Sequence, residues 1–346
     1  MTPLIEHANV EMRRSRSMIR YFFNMCTCTD SLRIMVTPFI TVLSIALFCT
    51  LTSHAADKKV PQKAFATPER AVNALIDAVR SDKLEELKTI LGPGSEKLIS
   101  SGDEIADKSD RESFFNAYEE KNRIEMVSEK QAVLHVGNQD WPMPIFVVKK
   151  GEQWFFDAKT AKDEILNRRI GRNELNAMQV CMAYVDAQRE YAEKDMDEDG
   201  ILEYAQKFES EPGQKNGLFW QTKDTEPQSP LGPFICRASR EGYHERGAFD
   251  KPEPYHGYLY KILKGQGKNS AGGAFEYVVN GEMIGGFALV AYPARHGASG
   301  IMTFIVNQDG DIYEKNLGKN TVKIAETMTI FDPDKTWRKV ILNTPD

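Results

Sequence analysis

The chain has 346 residues, of which 41% are hydrophobic and 27% are charged, so it can bury a full core and exceeds the length of one ordinary domain. Its formal net charge is −6, and the first 55 residues contribute a small basic excess, so the remainder is more acidic still. An acidic protein repels a phosphate backbone, and we therefore expect no nucleic acid as a partner.

The N-terminal segment has the three-part pattern of an export signal. The stretch 36–51 carries no charge, and Arg33 stands just before it. Ser53 and Ala55 place small side chains three positions and one position before a cleavage point. We therefore predict that residues 1–55 form a signal peptide and that the mature protein is periplasmic or secreted.

The same apolar stretch is too short for a membrane anchor, which needs about 20 apolar residues. It also contains Pro38. Cleavage is therefore predicted to leave no membrane span. The long basic lead before the stretch leaves open whether translation begins at a later methionine, such as Met18, Met25 or Met35.

Helices are predicted to open the first domain after a polar linker at 56–66. Thr67 is a typical N-cap, and Pro68 suits the first helical turn because it has no amide hydrogen to satisfy there. Apolar residues then recur at helical spacing. Further helices are predicted at 82–91 and 111–118.

Strands are predicted to follow these helices. The segments 132–136, 144–149 and 153–157 are the predicted strands, and a glycine-containing turn joins the last two as a hairpin. Helices followed by an antiparallel sheet define an α+β domain. We predict that this domain covers residues 67–170.

The longest predicted helix covers 162–194, where apolar residues seven positions apart form one stripe. Gly171 is expected to interrupt it, so that the first domain closes at residue 170. The rest of the helix then opens a second domain at 171–346.

The second domain is predicted to continue as a meander of about five antiparallel strands. Asn280-Gly281 and Asp309-Gly310 are the strongest hairpin signals in the sequence. A long irregular segment at 208–254, rich in proline and glycine, separates helix and sheet, and loops of this length are commonly functional. The predicted strands are 258–263, 275–279, 286–292, 301–306 and 312–314.

Several runs in this domain resemble an exported bacterial family known as domain of unknown function 2950. They include IGRNELNAMQVCMAYVDAQREYA at 170–192, PYHGYLYKIL at 254–263 and GGFALVAYPARHGASGIMTFIVNQDGDIYEKNLG at 285–318. The resemblance covers nearly the whole mature chain and implies no particular activity.

Two broader resemblances concern the fold. The first domain, which ends in Trp-Phe-Phe-Asp at 154–157, is similar to the cone-shaped nuclear-transport-factor-two-like fold. The second, a long helix followed by a sheet, is similar to the globular part of type IV pilins and pseudopilins. It departs from them because its helix follows another domain, which argues against assembly into a pilus. Fold alone does not define function.

The most specific local motif is DMDEDG at 195–200. Alternating carboxylates that end in a glycine suit Ca²⁺, which prefers six to eight oxygen ligands. An EF-hand would place glutamate where Gln206 stands, so the loop is not of that type. A solvated acidic helix end remains the alternative. The candidate calcium ligands are Asp195, Asp197, Asp199 and Glu203.

Other catalytic signatures are not recognisable. His135, His244, His256 and His296 show no metal-binding spacing. Cys181 and Cys236 are permitted to form one disulfide in an oxidising compartment, but Cys181 also suits a buried apolar helix face as a free thiol. We therefore do not favour an enzyme.

Aromatic residues could line a groove or fill a core, and both interpretations stay open. We expect a non-catalytic binding or structural component of the cell envelope, whose partner is an envelope protein or a small ligand. The alternative is a small-ligand carrier or an enzyme that uses a pocket in the first domain, near Trp141 and Trp154. The remaining aromatic residues considered for a groove are Trp220, Tyr255, Tyr258 and Tyr260.

Overall fold

The computed structural model describes residues 61–223, 225–243 and 253–341. The predicted signal peptide, residues 56–60 of the predicted linker and His244 lie outside these ranges. Helices and antiparallel sheets both occur, which confirms the predicted α+β class, and no sheet among the described residues closes into a barrel.

In the described part of the chain, four helices precede the first sheet. The Thr67 hydroxyl accepts a hydrogen bond from the Arg70 amide at 3.3 Å, so the predicted N-cap is confirmed. The third predicted helix exists but is longer than the segment 111–118, because Asp103 caps it through the Ala106 amide. The helices are α1 Pro68–Arg80, α2 Leu84–Leu91, α3 Glu96–Ile99 and α4 Glu104–Glu120.

The first sheet is antiparallel, with strand order β1-β2-β4-β5 and the short β3 beside β2. Its edge strand β1 was not predicted, since six of its seven residues are exposed and give no alternating apolar pattern. The strands are β1 Asn122–Ser128, β2 Gln131–Val136, β3 Trp141–Pro142, β4 Val147–Lys150 and β5 Gln153–Phe156.

The long helix α5, Ala158–Tyr191, is continuous. Gly171 lies inside it and does not interrupt it, contrary to expectation, because one glycine costs a helix only about 1 kcal/mol and the apolar stripe on either side of it is buried. In the described ranges, no helix combines the length and the apolar character that a bilayer crossing requires.

Among the described residues, the second half contains one further α-helix before its strands and a short one between β13 and β14. The helix α6 falls inside the segment that was predicted to be irregular. The elements are α6 Gly232–Arg240, β6 Tyr258–Leu263, β7 Gly265–Gln266, β8 Phe275–Glu276, β9 Val278–Val279, β10 Glu282–Met283, β11 Ala288–Pro293, β12 Thr303–Asn307, β13 Ile312–Lys315, a 3₁₀ turn Gly318–Asn320, α7 Thr321–Thr327, β14 Ile330–Phe331 and β15 Arg338–Lys339.

The largest sheet of this half has the order β15-β13-β12-β11-β6, and all its pairs are antiparallel. Four of its five strands were predicted. The predicted strand 275–279 instead forms β8 and β9, which belong to two smaller sheets. The turn between β9 and β10 confirms its hairpin signal, since Asn280 and Gly281 both have positive φ, at 56° and 103°.

Two hydrophobic cores lie along the chain, and α5 contributes to both. Ala158 and Ala161 pack into the first core, between α1 and the first sheet, whereas Ala177 and Cys181 pack into the second. Polar contacts connect the two halves, including the Lys97 ammonium to the Gly297 carbonyl at 3.2 Å. The domain boundary at 170/171 stays a prediction.

Candidate functional site

A cleft of about 1090 Å³ opens in the second half of the protein. Its walls are α5 on one side, the loop 206–226 and α6 on another, and the edge strand β6 on a third. This volume slightly exceeds the usual range of small-molecule sites, about 300–1,000 Å³. By comparison, the pocket beside α1 and α4 in the first half is about 250 Å³.

Hydrogen bonds to backbone groups hold the described part of the loop 206–226 in shape. Glu209 and Phe219 form a bridge, and the Tyr191 hydroxyl donates to the Lys215 carbonyl at 2.9 Å. Gly217 lies so close to the opposite segment that an added Cβ would stand 2.8 Å from the Glu209 carbonyl carbon. The loop therefore depends on a glycine at this position.

Aromatic side chains line much of the cleft. Of the residues predicted for a groove, Trp220, Tyr255 and Tyr260 lie in the cleft wall. Tyr258 is fully buried in the second core and does not belong to the wall. Phe234 of α6 joins the wall, with its ring 5.2 Å from that of Tyr255.

The two tryptophans considered for the first half do not form a pocket there. Trp154 is 7% exposed and belongs to the first core, whereas Trp141 is 40% exposed on β3. The more spacious cleft therefore lies in the second half, and Trp220 is the tryptophan that contacts it.

Charged groups are spread around the cleft, which has three lysines and four glutamates in its wall. Lys207 pairs with Glu211 at 2.7 Å. The ammonium of Lys261 is directed away, to the carbonyls of Ala325 and Glu326. Lys215 is the remaining cation, and it lies 5.9 Å from the centre of the Trp220 ring.

One end of the cleft is fixed by a buried carboxylate from the first half. Asp103 is 2% exposed, and its Oδ2 accepts from the Tyr243 hydroxyl at 2.9 Å and from the Gly257 amide at 2.8 Å. Burial next to this carboxylate raises the pKa of Tyr243. The tyrosine is therefore a neutral donor that links the cleft to α4.

A histidine and a glutamate stand beside this link. The His256 Nε2 is 3.0 Å from the Glu241 Oε2, and the Tyr255 hydroxyl donates to the same oxygen at 3.2 Å. Burial raises the pKa of Glu241, but the hydrogen bonds from His256 and Tyr255, together with the charges of His256 and Arg237, lower it by more. His256 has a positive φ of 49°, a conformation that costs energy outside glycine.

The acidic loop brings together three of the four predicted calcium ligands. One carboxylate oxygen from each of Asp195, Asp197 and Asp199 lies within 4.8 Å of the others. The Asp195 carboxylate also accepts from the amides of Asp199 and Gly200, which folds the loop back on itself. Burial and the neighbouring carboxylates raise the pKa of Asp197.

Glu203, the fourth predicted ligand, does not share this cluster. Its Oε2 accepts from the Met283 amide at 3.1 Å, and its side chain is hydrogen-bonded to Glu282. Burial and this second carboxyl raise the pKa of Glu203 to about 7. The loop and the carboxyl pair form an electronegative region that repels further negative charge.

The remaining predicted groups lie outside the cleft wall and the acidic loop. Cys181 and Cys236 are both free, and burial raises the pKa of the Cys181 thiol to about 12, which makes it a poor nucleophile. His296 contacts the Asn316 side-chain oxygen at 3.0 Å. His135 lies between Glu125 and Asp140 on the first sheet.

Sequence reasoning did not single out Asp103, Glu241 or Tyr243. They lie far apart in the chain, and no short motif joins them. The sequence signal that pointed to this part of the cleft is the run 254–263, because its aromatic residues are more closely spaced than a core strand requires.

These features define an α+β protein with two cores and an open, aromatic cleft beside a sheet edge. The chain belongs to the family described as a protein of unknown function (DUF2950), whose model matches residues 62–340. Comparison with curated proteins and with solved structures gives no match.

Proposed function

We propose that this chain is an exported, non-catalytic binding protein of the cell envelope and that the cleft is its binding site. The observation that carries the proposal is the wall itself. Trp220, Phe234 and Tyr255 present aromatic surface at a cleft of about 1090 Å³. Apolar surface combined with a few polar groups is typical of sites for amphipathic ligands.

Export is proposed from the apolar stretch 36–51 and the small residues that follow it. The cone-like and pilin-like arrangements are part of the same proposal. Their support is that α1 to α4 pack with an antiparallel sheet, while α5 packs against β11 and β12. A binding protein of this kind uses its first half as a fixed base, to which Asp103 ties the end of the cleft.

The cleft can be tested with Nile red, an uncharged dye whose emission shifts to shorter wavelength in apolar surroundings. We expect a saturable shift with the wild-type protein. Ala183 of α5 lines the cleft, so Ala183→Trp fills it and is expected to weaken binding at least about tenfold, in keeping with the loss of apolar contact area.

The matched control is Ala274→Trp, which adds the same side chain at an exposed loop position outside the cleft. It is expected to bind the dye as the wild type does. Equal binding by Ala183→Trp and Ala274→Trp would show that the dye occupies another surface and would reject the cleft as the site.

We also propose that the acidic loop binds Ca²⁺. The specific support is the convergence of carboxylate oxygens from Asp195, Asp197 and Asp199 within 4.8 Å, at a turn where Glu198 has a positive φ of 65°. Three carboxylates this close repel each other unless a cation or protons compensate them. A hard divalent cation suits such a set of oxygen ligands.

The calcium proposal predicts that millimolar Ca²⁺ raises the melting temperature, because a ligand of the native state stabilises it. Asp197→Asn is expected to abolish the rise. The control Asp186→Asn changes an exposed carboxylate of α5 and is expected to keep it. An unchanged melting temperature in the wild type, or an equal rise in Asp197→Asn, would contradict calcium binding at this loop.

A further inference from the structure

The strand β6 lies at the edge of the five-stranded sheet and forms one wall of the cleft. It pairs with β11 on one side, and over Tyr260–Ile262 its other side meets no strand in the part of the chain that the structure describes. Edge strands carry backbone donors and acceptors that can pair with another chain.

The hydrogen bonds at both ends of β6 establish which residues face outward. At the start, the Gly257 carbonyl accepts from Ala294, on the β11 side. Tyr258 exchanges both its backbone hydrogen bonds with Tyr255, on the outer side. At the far end, the backbone of Lys264 also bonds outward, donating to the Thr329 carbonyl at 2.9 Å.

Successive residues of a strand direct their backbone amide and carbonyl groups to opposite sides. Tyr260 and Ile262 therefore also direct theirs outward, as Tyr258 and Lys264 do. Neither residue has a backbone partner on that side among the described residues, whereas their outward-facing neighbours Tyr258 and Lys264 do. Both line the cleft. The cleft therefore contains a short stretch of open sheet edge with two donors and two acceptors.

We propose that this edge binds an extended polypeptide segment, which adds to β6 as a further strand inside the cleft. The inference rests on the proposed function of the cleft and names its ligand class. The backbone groups of Tyr260 and Ile262 supply the hydrogen bonds, and the aromatic wall accepts alternate side chains of the peptide.

The charges of the wall indicate a peptide with basic side chains. Glu209, Glu226 and Glu253 all line the cleft, and their carboxylates form no ion pair with any described residue. Of the lysines, only Lys215 lacks a carboxylate or carbonyl partner there. A peptide that alternates basic with aromatic or apolar residues complements this arrangement.

The test uses a labelled short peptide that alternates Lys with Tyr, together with a twin methylated on every backbone nitrogen and a third peptide that alternates Glu with Tyr. Fluorescence anisotropy measures binding to the full protein. We expect the first peptide to bind, and each of the others to bind at least about tenfold more weakly, because it loses backbone donors or acquires the wrong charge.

A second variant removes an outward amide from the protein. Ile262→Pro deletes a donor that makes no bond to β11, so an edge strand can accommodate it. We expect about tenfold weaker peptide binding. The control is Met126→Pro, at a half-exposed position of β1, the edge strand of the first sheet. It is expected to leave peptide binding unchanged.

Hydrogen exchange of the wild-type protein supplies a readout that does not depend on variants folding. In the free protein, the amides of Tyr260 and Ile262 are expected to exchange fast and that of Lys261 slowly. Addition of the Lys-Tyr peptide is expected to slow the exchange of the Tyr260 and Ile262 amides by at least about tenfold.

Each contrary result has a distinct meaning. Equal binding of the peptide and its methylated twin would overturn strand addition, and if Ala183→Trp still blocked Nile red the proposed cleft would stand. Slow exchange at Tyr260 and Ile262 in the free protein would show that the edge is already paired and would reject the inference. A dimer that Ile262→Pro dissociates would also reject it, since a second copy would then occupy the edge.

Discussion

Asp103 shows how a single buried residue connects the two halves of the protein. Its Oδ1 accepts from the Ala106 amide, and its Oδ2 accepts from Tyr243 and Gly257. Both oxygens are thus committed to donors. Because the Tyr243 hydroxyl itself accepts from the His256 amide, its hydrogen must go to Asp103.

We predict that Asp103→Asn lowers the free energy of unfolding by about 2 kcal/mol, since either orientation of the amide places an NH₂ group against a donor. Chemical denaturation measures the change. The control Asp163→Asn alters an exposed carboxylate of α5 and should stay within about 0.5 kcal/mol of wild type. Similar values for the two variants would contradict the role assigned to Asp103.

Glu203 predicts a pH dependence of stability. Its pKa of about 7 in the folded protein exceeds the unfolded value near 4.5, so between these values the folded state binds more protons. The contribution of this group to the free energy of unfolding therefore falls as the pH rises through that window. Glu203→Gln cannot ionise and should not show this fall.

Melting temperatures at roughly pH 5 and pH 8 test this prediction. From the lower to the higher pH, the free energy of unfolding of Glu203→Gln should rise by about 1 kcal/mol relative to that of the wild type, allowing for screening by solvent. A constant difference between the two proteins across the window would contradict the assignment of this carboxyl.

For individual residues, the sequence predicted only part of the candidate sites. The motif at 195–200 is contiguous, so three of its carboxylates could be expected to converge. Glu203 could not be placed, because its partners Glu282 and Met283 come from a hairpin some 80 residues away. The contact of Glu241 with His256 likewise depends on how α6 packs.

Among the elements, α5 was the easiest to predict and α6 the hardest. The stripe in α5 is long and regular, so its period identifies it. The nine residues of α6 start with Gly232-Pro233, which also suits a turn, and its burial of Ile235 and Ala238 depends on tertiary contacts. Propensity alone therefore favoured an irregular segment.

The continuity of α5 predicts a stabilising substitution. Gly171 has ordinary helical φ, and an added Cβ would meet no atom within 4 Å. Gly171→Ala should therefore raise the free energy of unfolding by about 0.5–1 kcal/mol, because glycine loses more backbone entropy in a helix. Thermal denaturation checks it, and a destabilised variant would argue for a break in the helix here.

The loop that walls the cleft predicts a loss of binding without loss of fold. Gly217→Ala places a Cβ against the Glu209 and Ser210 backbone, and this segment must move to accept it. Nile red binding should weaken several-fold while the circular dichroism spectrum stays that of the wild type. Unaltered binding would show that the loop does not shape the site.

At the scale of the whole molecule, the α+β class and the order of helices and sheets followed from periodicity and turn residues. The position of the cleft did not. It forms where α5, the loop 206–226, α6 and β6 meet, and such a meeting of distant segments leaves no local pattern. Of the two tryptophans expected at the alternative site, Trp154 is buried in the first core and Trp141 is exposed on β3.

The four tryptophans of the chain permit a direct test of the central claim that ligand binds in the cleft. Each indole N–H gives its own NMR signal, and Trp220 alone of the four lines the cleft. Titration with Nile red should move the Trp220 signal progressively to saturation and leave those of Trp141, Trp154 and Trp337 in place. A saturable shift of Trp141 or Trp154 with Trp220 unmoved would contradict the account.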